Sequence, residues 1–119
     1  MMDITTINRK PLQNKMSDTR VYLIVNLDIH DPEKYRVYEK GFFPLLKKHN
    51  GDFITYDDSP LVLEGPEPSV KGRVILFSFP SEEDADNWWN DPDYQALSEN
   101  RRAGTTTLLQ RVKGMPPRK

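Results

Sequence analysis

Apolar positions along the chain recur at period two in some stretches and at helical period in others, and the order of these stretches predicts the fold. Val21 to Asp28 is β-branched and aromatic, with Val21, Leu23, Val25 and Leu27 on one face and Tyr22, Ile24, Asn26 and Asp28 on the other. The first face is wholly apolar, whereas the second begins apolar and ends polar. His30-Asp31-Pro32-Glu33 then signals a helix start. Asp31 is placed to cap free N–H groups, Pro32 sits where its missing N–H costs nothing, and Glu33 suits the positive helix end. Tyr35, Tyr38, Phe42, Leu45, Leu46 and His49 follow at helical spacing as one buried stripe. Gly41 and Pro44 weaken this helix, Pro44 is expected to kink it, and Asn50-Gly51 supplies its stop.

Phe53 to Tyr56 predicts a short strand, turned by Asp57-Asp58-Ser59-Pro60, and Leu61 to Glu64 a second short strand that Gly65-Pro66 ends. Arg73 to Phe79 is the second strong strand, with Val74, Leu76 and Ser78 opposing Arg73, Ile75, Phe77 and Phe79, so both faces are again largely apolar. Pro80 stops it. Ser81 with Asp84 forms a capping box in which Asp replaces the usual Glu or Gln, opening a helix with Ala85, Trp88 and Trp89. Asp91-Pro92 interrupts that helix and starts another bearing Tyr94, Leu97 and Arg101; Gly104 ends it, and Thr105 to Val112 reads as the closing strand.

This order predicts an α+β domain of ferredoxin-like βαββαβ type, a four-stranded antiparallel sheet with its helices on one face. Residues 20–114 form the domain, 1–19 a flexible N-terminal arm in which Met16-Ser17 offers a second start, and 115–119 a C-terminal tail. Helices on one face leave the other apolar face of the strong strands uncovered, and a large exposed apolar face is unusual in a monomer. The expectation is a homodimer joined through the sheet face.

Composition narrows the partners. The 119 residues suffice for one core, and 17 Lys and Arg against 18 Asp and Glu give no electrostatic footprint for nucleic acid or an anionic membrane. The absence of Cys excludes disulfides and thiolate chemistry. No stretch approaches the roughly 20 apolar residues of a membrane span, and residues 1–20 hold no apolar signal core, so a cytoplasmic location is expected. Two separated histidines match no zinc or iron spacing, and the glycines form no phosphate-binding loop; neither metal nor cofactor is expected.

The candidate chemistry lies where the apolar pattern breaks. Asn26 and Asp28 emerge at the polar end of a strand face, placed to line a cavity between sheet and helices or between subunits. Arg101 offers a planar fork for a carboxylate, Glu64 and Asp28 are candidates for proton handling, and Tyr38 and Trp88 offer aromatic walls for a flat ligand. Each has a plainer reading: polar strand ends reach solvent, charges pair, and helix-spaced aromatics make core. His30 and His49 are candidates for acid–base or axial haem roles, although a lone histidine near a helix end more often packs or caps.

Tyr22-Leu23-Ile24-Val25-Asn26, Asp31-Pro32-Glu33-x-Tyr35-x-x-Tyr38, Leu45-Leu46, Gly51, Leu63-Glu64-Gly65, Phe79-Pro80-Ser81, Trp88, Pro92-x-Tyr94-x-x-Leu97 and Arg101-x-Ala103 together resemble an uncharacterised bacterial family. This is domain of unknown function 1330, within the dimeric α/β-barrel superfamily. The resemblance covers about residues 20–114 and departs at Asp57-Asp58, where glycine is expected, and at Asp91, where serine is expected. It implies a ferredoxin-like subunit and a dimer of facing sheets, and no particular reaction. Three functions stay open on this basis. The first is a homodimer with a small-molecule pocket, as a cofactor-independent enzyme. The others are a non-enzymatic binding or sensing module, and a cofactor-free or haem-linked monooxygenase.

Overall fold

The computed structural model describes residues 19–116; most of the expected arm, Met16-Ser17 included, and the end of the expected tail lie outside the described residues. The elements are β1 (Val21–Ile29), α1 (Pro32–Lys48), β2 (Asp52–Asp57), β3 (Arg73–Phe79), α2 (Glu82–Trp89), α3 (Pro92–Gly104) and β4 (Thr105–Lys113). They form one four-stranded antiparallel sheet in the order β2-β3-β1-β4. This is the ferredoxin-like βαββαβ arrangement, its second helical segment divided in two at Asp91-Pro92.

β1 lies inside the sheet and sorts the two faces. Its odd residues Val21, Leu23, Val25 and Leu27 are buried and lie across from Phe79, Phe77, Ile75 and Arg73 of β3. Against this face the helices set Tyr35, Tyr38, Phe42 and Leu46 of α1, Ala85 and Trp88 of α2, and Tyr94 of α3. The even residues Tyr22, Ile24, Asn26 and Asp28 lie on the opposite face, beside Ser78, Leu76 and Val74 of β3 and Val112, Gln110, Leu108 and Thr106 of β4.

Local signals set the helix ends. Asp31 caps α1 by accepting from the Lys34 N–H at 3.3 Å. At the other end Asn50 takes a left-handed φ of 67°, and the N–H groups of Asn50 and Gly51 return to the carbonyls of Lys47 and Leu46. That is a Schellman stop with Asn in the place glycine usually takes. Gly51 matters for space instead, since a Cβ there would collide with Leu46 and Phe79. α1 stays continuous through Gly41 and Pro44. Gly41 lets α3 approach closely: a Cβ on it would sit 2.8 Å from the Leu97 side chain.

The short strand expected over Leu61 to Glu64 does not form; that stretch belongs to the irregular connection between β2 and β3. Leu61 and Leu63 are 82% and 89% exposed, so nothing in the subunit covers them. Pro60 and Pro66 remove backbone donors on both sides of the run, and β2 and β4 already form the sheet edges.

α1 and α3 are tied together by Asp91. Its carboxylate caps α3 through the Asp93 N–H at 2.9 Å and accepts from Lys48 Nζ at 2.9 Å and His49 Nε2 at 2.8 Å. The hydrogen bonds from His49, then Lys48, then the Asp93 backbone hold the carboxyl well below the usual carboxylate range. A carboxyl depressed in the folded state contributes stability above its unfolded pKa of about 3.9 and loses that contribution as pH falls from there toward its folded value. Asp91→Asn is therefore expected to lower the unfolding temperature at neutral pH and to flatten its decline below about pH 4; calorimetry across an acid series measures both effects.

Candidate functional site

Where α1 passes over β1 and β3, the helix face opens into a cavity of about 160 Å³. Its floor is Val25, Leu27, Ile75 and Phe77; Tyr35, Tyr38 and Phe42 of α1 form a wall, and the exposed rings of Phe43, Phe53 and Tyr56 surround its mouth. Several of the rings meet edge to face: Phe42 lies 5.1 Å from Phe77 at 77°, and Phe43 lies 5.2 Å from Phe53 at 61°. These geometries are the favoured ones for aromatic pairs.

Two arginines line this largely apolar space, in opposite electrostatic conditions. Arg73 donates to Asp58 at 2.6 Å and to Glu39 at 2.8 Å and lies over the rings of Tyr56 and Tyr35. Burial works against its charge, and the bonds to Asp58 and Glu39 outweigh that, so the guanidinium is held firmly protonated. Arg101 reaches the cavity from α3 and is only 5% exposed, its guanidinium carbon 5.6 Å from the centre of the Tyr38 ring. Its Nε is buried without a hydrogen-bond partner, and no carboxylate among the described residues pairs with it. A buried cation is ordinarily paired, because removing it from water is costly.

The phenols beside these cations stay protonated. Burial pushes Tyr35 up to about 12 against the opposing pull of Arg73, and burial, reinforced by Tyr94, pushes Tyr38 well above its usual value. Tyr38 and Tyr94 share a buried hydroxyl–hydroxyl hydrogen bond of 2.7 Å, and Tyr94 lies against Trp88 with ring centres 4.1 Å apart. Among the described residues the cavity thus carries one cation without a paired counter-charge. Glu39 is its one lining carboxylate, and Arg73 already holds it.

Of the candidates read from the sequence, Tyr38 and Arg101 meet at this cavity. Asn26 and Asp28 lie on the opposite face of the sheet, across from Leu108 and Thr106 of β4. Glu64 is exposed in the connection between β2 and β3, away from the cavity lining. Trp88 is core, packed on Phe77, Phe79 and Tyr94, with its Nε1 buried and unpartnered. His49 binds Asp91, and His30 bonds Thr106 Oγ1 at 2.7 Å; neither lines the cavity. Among the described residues no group of three His, Cys, Asp or Glu side chains is placed to hold a metal ion. Sequence reasoning passed over Arg73, although a signal existed: it is the one charged residue in the period-two set shared with Ile75, Phe77 and Phe79.

The sheet order, the helices on one face and the aromatic cavity beneath them define a ferredoxin-like α+β protein. More particularly, the chain belongs to the family described as "Domain of unknown function (DUF1330)", whose model matches residues 20–115. No curated protein matches it significantly. Among solved structures it is similar to RPA0582, a protein of unknown function from Rhodopseudomonas palustris, at 19% identity and a TM-score of 0.71 over 84% of this chain and 85% of that one. A dabb family protein with a ferredoxin-like fold from Mesorhizobium loti aligns at 12% identity and a TM-score of 0.56, covering 82% and 98% of the two chains. SnoaB, a cofactor-independent oxygenase from Streptomyces nogalater, aligns at 11% identity and a TM-score of 0.55, covering 85% and 95%. At these identities the likeness concerns the fold.

The shared hydroxyl bond makes the wall of the cavity dependent on both tyrosines. Removing one hydroxyl strands its buried partner, at a cost of about 1–3 kcal/mol. Tyr38→Phe and Tyr94→Phe are each expected to destabilise by about that amount, and the double variant by clearly less than their sum. Denaturant unfolding of the four proteins closes the cycle.

Proposed function

We propose that the protein is a homodimer in which each subunit binds a small anionic molecule in its aromatic cavity, with Arg101 recognising the negative charge. The observation that carries this reading is an arginine only 5% exposed at a cavity, its Nε buried without a hydrogen-bond partner and no counter-ion among the described residues. The effective cost of burying one ion is several kcal/mol. The contact with the Tyr38 ring recovers about 0.5–2 kcal/mol of that. A purely structural arginine would gain by acquiring a carboxylate partner; one kept for an incoming anion must be left without.

The same furnishing favours binding over proton abstraction. The tyrosines stay protonated, Glu39 is held by Arg73, and Asp28 and Glu64 do not reach the cavity. A role as a cofactor-independent enzyme would require Glu39 to exchange Arg73 for a substrate proton. The fold likeness to an oxygenase does not supply such a base.

The homodimer rests on the uncovered sheet face. Its middle is largely apolar, with Ile24, Val74, Leu76 and Leu108 flanked by Tyr22 and Val112, and Gln110 beside Ile24 and Thr55 beside Leu76 as its polar members. Its ends are polar. Asn26, Asp28 and Thr106 stand at one, and at the other Arg20 bonds Ser78 at 2.8 Å and Asp52 at 3.1 Å. An apolar centre with a polar rim is interface anatomy, and a face that meets its own copy needs no second surface. Among the described residues no helix is long and apolar enough to cross a membrane.

Two substitutions test the two halves of the proposal. Arg101→Met keeps the shape and removes the charge, so without ligand it is expected to be at least as stable as the parent while losing anion binding. A marked loss of stability instead would make Arg101 a structural residue. Leu76→Asp, at the centre of the open face, is expected to halve the molar mass measured by light scattering; an unchanged mass would remove the sheet face from the interface.

A further inference from the structure

We propose that the anion is a carboxylate carried on a single aromatic ring, an inference that rests on the reading of Arg101 as an anion-recognising group and adds the rest of the molecule. The size of the cavity sets the first limit. Pockets for drug-sized ligands begin at about 300 Å³, whereas an apolar cavity of about 150 Å³ accommodates benzene. At about 160 Å³ this one takes a single six-membered ring, and a fused three-ring molecule would have to leave most of its surface in water.

The lining sets the second. Apart from the arginines and Glu39, the cavity is walled by aromatic and aliphatic side chains, with Tyr38, Phe42 and Phe77 presenting ring faces and edges at differing tilts. A flat ring among them can make offset and edge-to-face contacts that a saturated chain cannot. Apolar walls also leave a second charged group on the ligand without a partner, so one anionic group is the allowance.

The shape of the cation sets the third. Arg101 has an unpartnered buried Nε–H, and a guanidinium presents its donors in a planar fork. Two coplanar oxygens of a carboxylate match that fork with two parallel hydrogen bonds. Arg73 does not compete for them, since Glu39 and Asp58 already occupy it. The arrangement therefore describes a ligand with one flat apolar ring and one planar anionic head.

Titration calorimetry of the full chain at neutral pH with benzoate, acetate, benzamide and anthracene-9-carboxylate tests this directly. The expected result is one benzoate per chain, bound at least tenfold more tightly than acetate, benzamide or the three-ring acid, and lost in Arg101→Met. The four-ligand comparison on the parent protein decides the matter even if that variant does not fold. If acetate binds as tightly as benzoate, or the three-ring acid binds more tightly, the single-ring inference is overturned while the anion reading stands. If benzamide equals benzoate, or if neither benzoate nor acetate binds, charge recognition itself fails and the inference falls with it.

Discussion

A four-stranded sheet has two faces, and the helices of this chain cover one of them. Everything else in the molecule is arranged around that shortfall. β1 lies between β3 and β4 and divides its side chains strictly, odd residues under the helices and even residues outside. A register slip of one residue would exchange the two sets. The helix rings of Tyr38, Trp88 and Tyr94 would then lose part of their floor. Burying each large apolar side chain stabilises the fold by about 1.5–3 kcal/mol, so the pleat of β1 carries much of the driving force for folding.

The cavity and its cation follow from the same packing. α2 sets Trp88 on Phe77 and Phe79, α3 sets Tyr94 on Trp88, and α1 continues over the end near Leu27 and Ile75, where its aromatic stripe leaves space instead of filling it. Arg101 enters that space from α3, held by its helix and by contact with the Tyr38 ring. The dense aromatic core offsets the cost of keeping this guanidinium unpaired. On the proposed reading, stability given up at Arg101 prepares a binding group, a common pattern at functional sites.

What was legible in the sequence was local. The caps at Asp31, Ser81 and Asp91, the helical stripe of α1 and the two-faced strands are encoded within a few residues of where they act, and the structure carries all of them. Leu61 to Glu64 shows the limit, because a strand needs a neighbour and no short window reveals whether one is available. Asn26 and Asp28 show another. Both faces of β1 were apolar enough to be the core face, so periodicity grouped those two residues without saying which side of the sheet held the cavity. Arg101 and Tyr38 were placed from helical spacing, which brings α1 and α3 stripes onto the same sheet face. That no carboxylate among the described residues pairs with Arg101 is a property of three-dimensional surroundings and had no sequence signature.

The account turns on whether the Arg101 guanidinium waits unpaired for an anion. Nitrogen-15 spectra of the arginine Nε–H groups, with the Arg101 signal assigned by its loss on substitution, observe that group directly. On titration with benzoate the account predicts that the Arg101 Nε–H moves to saturation at one equivalent per chain while Arg73, held by Glu39 and Asp58, stays in place. An Arg101 signal that does not move, while those of exposed arginines do, would contradict it.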